Sequence, residues 1–295
     1  SANNLDIAES AMLIGLLPAP SAYSPISGDK EMAEKRQDYV LDRMADDGYI
    51  NQEEKDGASK QPLSYTPADP LGDGTANHFA LMVIDELDKK YGEERIMRSG
   101  FRVKTSLDLG WQKTAQGYVH DQVQKLAAQD ARNGALVAID PATGEVRSLV
   151  GSADWNNDEY GKVNMAVAPR QPGSSFKPIY YTEAIAARKV TAATILHDEP
   201  TDFGAGYRPT NYDFRYRGDV SARYALANSL NIPAVEVMEK IGVEEAAKAA
   251  RRMGISTINK PETYGLSLAL GTAEARLTDM TNAYAALAKS GDQFP

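Results

Sequence analysis

Apolar side chains recur every three or four residues through the first sixty residues of the chain. This spacing predicts an amphipathic helix over residues 5–17, with Asn4 as its capping candidate. A second helix is predicted over residues 32–44 with Gly48 as its stop, and Asn51 begins a short third helix. The first part of the chain is therefore expected to be all-helical.

Prolines and glycines cluster between residues 60 and 77, which is typical of a linker. Helical spacing returns over residues 77–91. Apolar and basic residues then alternate over residues 101–105, which predicts a strand. Asp108 is the expected cap of the next helix, which runs to about Leu126.

The second half of the chain opens with a predicted β-hairpin. Two runs rich in β-branched and other apolar residues, 135–139 and 146–150, flank the turn sequence Asp-Pro-Ala-Thr-Gly-Glu. Helical patterns dominate afterwards, and the predicted spans are 174–188, 221–230, 233–241, 243–253 and 278–289. Strands followed by helices favour an α+β or α/β sandwich.

Composition excludes several classes of protein. The chain has 295 residues, 42% of them hydrophobic and 25% charged, which suggests about two globular domains. Its net charge of −9 and the lack of a basic stripe argue against a nucleic-acid partner. The absence of cysteine excludes a disulfide scaffold and a cysteine nucleophile, and the wide separation of His78, His120 and His197 disfavours a metal centre. No run approaches the roughly 18 apolar residues that cross a bilayer.

The sharpest chemical motif is Arg-Gln-Pro-Gly-Ser-Ser-Phe-Lys-Pro at residues 170–178. Gly173 permits a tight turn into a helix, and Ser174 and Lys177 then share one face. A serine hydroxyl needs a nearby base to become a nucleophile, and a lysine serves if burial lowers the pKa of its amine. The positive end of a helix also disfavours a protonated amine and offers N–H groups to an oxyanion.

The same spacing has a plainer interpretation, in which Ser174 is a helix cap and Lys177 a surface residue. About one Ser-x-x-Lys is expected by chance in a chain of this length. A second Ser-x-x-Lys sequence, from Ser27 to Lys30, lies in a turn-rich stretch where a solvated loop is predicted.

A second polar element lies between two predicted helices, where Ser229 and Asn231 precede Pro233. A serine in a cleft can pass a proton between an amine and a leaving group, and an asparagine amide both donates and accepts, as peptide binding requires. The alternative is a helix end with Asn231 in a left-handed conformation.

With these two elements in place, nearly the whole chain resembles the bifunctional class A penicillin-binding proteins. Ser174-x-x-Lys177 resembles the nucleophile motif of the family and Ser229-x-Asn231 its second motif. Residues 134–145 resemble its first hairpin, and Leu270-Gly271 with residues 283–285 resemble its later helical region. Residues 5–25 and 36–44 are similar to the end of its glycosyltransferase domain.

The resemblance implies a multidomain fold. Residues 1–66 would be the carboxy-terminal tail of a lysozyme-like, α-helical glycosyltransferase domain, and residues 67–130 a short α/β linker region. Residues 131–295 would form an α/β (α+β sandwich) penicillin-binding transpeptidase domain, related to serine β-lactamases, whose carboxy-terminal part is missing. The catalytic glutamates of the glycosyltransferase precede anything present here. Lys289-Ser290-Gly291 has the letters of the family's third motif, Lys-Thr/Ser-Gly, but is predicted to be a helix end.

The implied function is that of a peptidoglycan DD-transpeptidase. Ser174 would attack the stem peptide, Lys177 would accept its proton, Ser229 would relay that proton, and Asn231 would hold the peptide backbone. No cofactor or metal is implied. The implied partners are stem peptides, lipid-linked glycan strands, β-lactam antibiotics and envelope-synthesis proteins, with no nucleic acid. The implied location is the extracytoplasmic face of the cell membrane, with an anchor outside this chain.

Three alternatives stay open at this point. The chain could be a penicillin-recognising scaffold or sensor without turnover, which the missing third motif favours. It could be a DD-carboxypeptidase or β-lactamase-type hydrolase, but no residue is identifiable as a water activator. It could also be a serine–lysine amidase on another fold.

Overall fold

The computed structural model describes residues 4–65 and 74–291, so residues 66–73 of the predicted linker lie outside the described residues. Two units, Ser1–Gly72 and Asp73–Pro295, have most of their contacts within themselves. The finer division predicted at residues 66/67 and 130/131 stays a prediction. Among the described residues, no helix is both long enough and apolar enough to cross a membrane.

The first unit is helical, as predicted. Its helices are α1 (Ile7–Leu16), α2 (Pro20–Tyr23), α3 (Lys30–Asp46) and α4 (Gln52–Lys60). Asn51 caps α4 as expected, but the expected cap of α1, Asn4, is wrong. Asp6 caps α1 instead, because its carboxylate accepts from Glu9 N at 2.8 Å while Glu9 Oε2 accepts from Asp6 N at 3.0 Å. The shorter helix α2 was not predicted.

The second unit combines helices with two short hairpins. Its elements are α5 (Asn77–Tyr91), α6 (Glu93–Ser99), α7 (Leu109–Lys125), β1 (Leu136–Ile139), β2 (Val146–Val150), α8 (Lys177–Ala186), β3 (Ile195–Asp198), β4 (Gly218–Ser221), α9 (Ala222–Ala227), α10 (Asn231–Ile241), α11 (Val243–Arg252) and α12 (Leu277–Ala288). Asp108 caps α7 as predicted, since its side chain accepts from Gly110 N and Trp111 N. The helix α6 was not predicted.

The strand predicted over residues 101–105 is wrong, because this segment is irregular and exposed. An alternating pattern becomes a strand only when its backbone groups pair with another strand, and within the described residues these have no such partner. The chain joins the hairpin just afterwards, where Ser106 Oγ donates to Val146 O at 2.9 Å and Asp108 N donates to Arg147 O at 2.9 Å.

Both hairpins are antiparallel. The predicted pair β1–β2 is present, with a register shift between Ala138 and Ile139. Helix α7 packs on β2, where the buried Gln112 side chain donates to Leu149 O at 2.9 Å and accepts from Leu149 N at 2.8 Å. The pair β3–β4 was not predicted, because its four-residue strands are separated by the long loop 199–217.

The main core of the second unit surrounds α8 and α10, which pack against each other. The fully buried side chains there include Phe176, Ile179, Tyr180, Ile232 and Met238. Because α8 begins at one polar motif and α10 at the other, burying their apolar faces in one core brings the two motifs together. The three histidines lie on α5, α7 and β3, and the described residues include no metal-binding cluster of three or more His, Cys, Asp or Glu side chains.

Two isoleucines on α8 test the role of this core. Ile179 is fully buried and Ile185 is 48% exposed. Ile179→Ala should lower the free energy of unfolding of the second unit by about 2–5 kcal/mol, because it leaves a cavity. The matched Ile185→Ala should change it by less than about 0.5 kcal/mol. Urea denaturation measures both, and equal losses would contradict the assigned packing.

Candidate active site

Ser174 lies in a tight turn that leads directly into α8. Residues Gly173–Phe176 form a turn of 3₁₀ helix, and the α-helix begins at Lys177 rather than at Ser174 as predicted. Residues three apart eclipse one another in a 3₁₀ turn, so Ser174 and Lys177 lie on one side of it. The Ser174 side chain is exposed, whereas Lys177 is only 1% exposed.

This turn is fixed by contacts with the segment before α12. Arg170 and Ala275 form an antiparallel bridge, and Gly173 N donates to Gly271 O at 3.3 Å. Glycine is required at position 271 because a Cβ there would collide with Gly173 O, whereas Gly173 has open space around its own Cβ position and a positive φ of +58°. Tyr284 on α12 donates its hydroxyl hydrogen to Ser175 O at 2.8 Å. These hydrogen bonds to backbone groups hold in place the turn that bears Ser174, the candidate nucleophile.

The Lys177 amine is surrounded by oxygens from the junction between α9 and α10. Its Nζ lies 2.7 Å from Ser229 O, 2.8 Å from Asn231 Oδ1, 3.2 Å from Leu230 O and 3.2 Å from Ser229 Oγ. Burial lowers the pKa of this amine to about 8. Three of these oxygens are carbonyl oxygens, and the fourth belongs to the Ser229 hydroxyl, which also carries a hydrogen. Lys177 and Ser229 can therefore exchange a proton.

Ser174 and Ser229 line the same cleft, which has a volume of about 510 Å³ and also exposes Asn231. The described residues show no direct hydrogen bond between Ser174 Oγ and Lys177 Nζ. Contacts between a nucleophile and its base are commonly long without substrate and tighten when it binds. The structure thus brings Lys177, Ser229 and Asn231 into contact and leaves Ser174 at the open side.

Ser229 has a left-handed backbone, with φ of +54°. It ends α9 in a Schellman motif, in which Leu230 N donates to Ala225 O at 2.9 Å and Ser229 N donates to Leu226 O at 3.0 Å. A left-handed non-glycine residue costs about 1–2 kcal/mol, and such strain concentrates at functional sites. The alternative of a left-handed Asn231 is wrong, because Asn231 is the first residue of α10.

The Asn231 carboxamide makes two hydrogen bonds within the protein. Its Oδ1 accepts from Lys177, and its Nδ2 donates to Thr210 O at 2.8 Å. One Nδ2 hydrogen remains for another acceptor. The expected role of Asn231 in holding a peptide backbone stays a prediction, whereas its contact with the Lys177 amine is direct.

Sequence reasoning missed the polar residues behind this junction. Asn211 Oδ1 accepts from Asn231 N at 2.7 Å, and its Nδ2 donates to Asp198 Oδ1 at 2.7 Å. Asp198 is fully buried on β3 and Asn211 is 3% exposed. Neither belongs to a spacing pattern, so no signal in the single sequence marks them.

The two look-alike motifs, Ser27-x-x-Lys30 and Lys289-Ser290-Gly291, match the family's motifs in their letters but do not line the cleft. Ser27 is exposed, and the exposed Lys30 begins α3 and pairs with Glu34 at 3.8 Å. Lys289 is the C-cap residue of α12, and Ser290 and Gly291 follow with positive φ. Gly291 N donates to Ala286 O at 2.9 Å, so the predicted helix end is confirmed.

Comparisons with known proteins match both parts of the chain. The profile of the penicillin binding protein transpeptidase domain matches residues 134–292, and the transglycosylase profile matches residues 1–45. Penicillin-binding protein 2D of Bacillus subtilis is 36% identical over 302 residues, which cover 99% of this chain and 42% of the relative. The chain therefore spans about two fifths of that relative's length.

Solved structures similar to this chain include the following two. Penicillin-binding protein 1A from Haemophilus influenzae superposes with a TM-score of 0.73 at 24% identity, covering 97% of this chain and 56% of that one. The PonA1 protein of Mycobacterium tuberculosis in complex with penicillin V gives a TM-score of 0.65 at 27% identity, covering 76% and 61%. The expected fold, a helical glycosyltransferase part followed by an α/β transpeptidase domain, is confirmed.

The close approach of Gly173 and Gly271 predicts the effect of an added methyl group. Gly271→Ala should destabilise the second unit by about 2 kcal/mol more than Gly265→Ala, because its Cβ would collide with Gly173. Gly265 is the matched control, since it also has positive φ but open space around its Cβ position. Urea denaturation of both variants measures the difference. Equal losses would show that the turn is not held by this contact.

Proposed function

Because this chain belongs to the class A penicillin-binding proteins, we propose that it forms part of a peptidoglycan DD-transpeptidase in which Ser174 carries the acyl group. The observation that carries this proposal is the buried Lys177 amine, which contacts Ser229 Oγ beside the cleft that Ser174 lines. Burial that lowers the pKa of the amine favours its neutral, basic form.

The first half-reaction breaks the amide between the two terminal D-alanines of a stem peptide. Ser174 Oγ attacks the carbonyl carbon, and its proton passes to the neutral Lys177 amine. Ser229 Oγ accepts a proton from Lys177 and gives its own to the nitrogen of the leaving D-alanine. An ester on Ser174 remains.

The second half-reaction transfers that acyl group. An amine from a neighbouring strand attacks the ester, an amide bond forms, and the proton released returns to Ser174 Oγ through the same two side chains. A β-lactam would react by the first step alone, because its opened ring stays attached to the acyl carbon. The solved complex of PonA1 with penicillin V supports a β-lactam as a ligand of this cleft.

The wider setting is proposed from family membership. The substrates are stem peptides on lipid-linked glycan strands, and the location is the extracytoplasmic face of the cell membrane. Envelope-synthesis proteins are the proposed partners. Residues 1–66 are proposed as part of the glycosyltransferase domain, 67–130 as the linker region and 131–295 as part of the transpeptidase domain.

A fluorescent penicillin tests the nucleophile. The unchanged chain should acquire a covalent label that survives denaturing electrophoresis, and Ser174→Ala should abolish it, because no ester can form. Ser27→Ala alters the look-alike motif and should leave labelling unchanged. Persistent labelling of Ser174→Ala would contradict the assignment. Failure of the folded, unchanged chain to label would favour a scaffold, and a label lost within minutes would favour a hydrolase.

The acylation rate should rise with pH and level off above about pH 8. Only the neutral Lys177 amine accepts a proton, and burial lowers its pKa to about 8, so the reactive fraction grows about tenfold per pH unit below that value. Labelling rates between pH 6 and 9.5 measure the profile. A flat or falling profile would exclude Lys177 as the base.

The pH dependence of folding stability tests the lowered pKa of Lys177 without requiring acylation. Between the folded pKa of about 8 and the higher value of an unfolded lysine, the unfolded chain binds more protons at this position, so stability rises with pH. Lys177→Met should remove this rise, which urea denaturation at several pH values detects.

A further inference from the structure

The buried carboxamide of Asn211 engages both its N–H hydrogens and its oxygen in hydrogen bonds within the protein. Its Nδ2 donates to Asp198 Oδ1 at 2.7 Å and to Arg215 O at 2.8 Å, while its Oδ1 accepts from Asn231 N at 2.7 Å. A neutral carboxamide supplies this combination of two donors and one acceptor. The side chain thus joins the loop 199–217 to the start of α10.

The bond to Asn231 N fills a specific need of α10. The first amides of a helix have no partner inside it, and the N-cap residue Leu230 offers no side-chain acceptor. Asn211 supplies that acceptor from another part of the chain. It thereby fixes the residues whose oxygens contact Lys177, which are Ser229, Leu230 and Asn231.

A buried carboxylate holds Asn211 in turn. Asp198 Oδ2 accepts from Arg217 N at 3.0 Å and lies 3.7 Å from Arg217 Nη1, whose guanidinium also pairs with Asp213 at 2.7 Å. Asp198, Asp213 and Arg217 are thus the charged groups of this network. Among the described residues, only neutral oxygens hydrogen-bond to Lys177 itself.

This arrangement matters because a carboxylate in direct contact would hold lysine as an ammonium ion. Two amides, Asn211 and Asn231, stand between the Asp198 carboxylate and the Lys177 amine. They connect the buried charge to the junction, and Asn231 presents only its neutral Oδ1 to the amine.

We propose that Asn211 is a positioning residue for Lys177: held by Asp198, it fixes the α9–α10 junction so that Ser229 and Asn231 meet the lysine amine. This inference rests on the proposed acyl-transfer function, in which Lys177 is the base. Asn211 itself transfers no proton in that reaction.

The test follows the titration of Lys177 directly, in the full chain labelled with ¹³C-lysine. The ¹³Cε resonance of Lys177, assigned by its loss in Lys177→Met, reports protonation of the amine whether or not the chain reacts with penicillin. Asn211→Asp made together with Asp198→Asn keeps the acceptor for Asn231 N and moves the negative charge of the network one step closer to the amine, so the titration midpoint should rise by about one pH unit. Asp198→Asn removes the buried charge, so the midpoint should fall by about half a unit.

The rate of penicillin labelling is the second measurement of this test. Asn211→Asp should lower the acylation rate at high pH by about tenfold, because the junction loses its bond to Asp198. Asn259→Asp makes the same change on an exposed loop and should leave both the titration and the rate unchanged. Combining Asn211→Asp with Asp198→Asn gives position 198 an amide N–H that can donate to the new carboxylate at position 211. That combination should recover thermal stability but not the Lys177 midpoint, because the charge stays at the nearer position.

The lower acylation rate of Asn211→Asp at high pH, where the Lys177 amine is neutral, separates positioning from a purely structural role, which would change stability alone. If Asn211→Asp fails to fold, the Asp198→Asn titration and the combined variant decide. Midpoints that stay within 0.2 units of the unchanged chain, or that move in the same direction, overturn the proposal. If the unchanged chain takes no penicillin label, acyl transfer fails as its function, while the titration still decides the role of Asn211.

Discussion

The Lys177 amine is the physical link between the two halves of the candidate site. It begins α8, yet its contacts lie some fifty residues further on, at the junction of α9 and α10. Removing a lysine amine from water is unfavourable unless oxygens replace its hydration. The three backbone and amide oxygens around it do so without adding a negative charge. The result is an amine that is fully hydrogen-bonded and whose pKa is nevertheless lowered to about 8.

Backbone geometry at the site departs from what most residues prefer. Ser229 is left-handed, and Gly271 lies too close to the Gly173 backbone to carry a side chain. These conformations are held by the surrounding core, in which α8 and α10 bury their apolar faces together. The rigid packing of Phe176 and Ile179 therefore has a chemical consequence, because it fixes the turn that bears Ser174 relative to the junction that bears Ser229.

Local signals predicted the local features well. Asp108 and Asn51 cap helices as expected, α5 occupies the predicted residues, and the β1–β2 hairpin follows its turn sequence. The errors occur where a second segment decides the outcome. Residues 101–105 alternate like a strand but have no pairing partner in the described part of the chain, and β3 and β4 are too short to stand out.

The amino-acid sequence alone was enough to identify the chemical groups of the candidate site. It marked Ser174, Lys177, Ser229 and Asn231, because hydroxyl, amine and amide at helix boundaries form recognisable local patterns. The burial of Lys177 against Ser229, and the support that Asn211 and Asp198 give to this junction, became visible in the folded chain. The physical reason is that burial and hydrogen-bond partners depend on segments distant in sequence, and spacing along a chain carries no record of which distant residues come into contact.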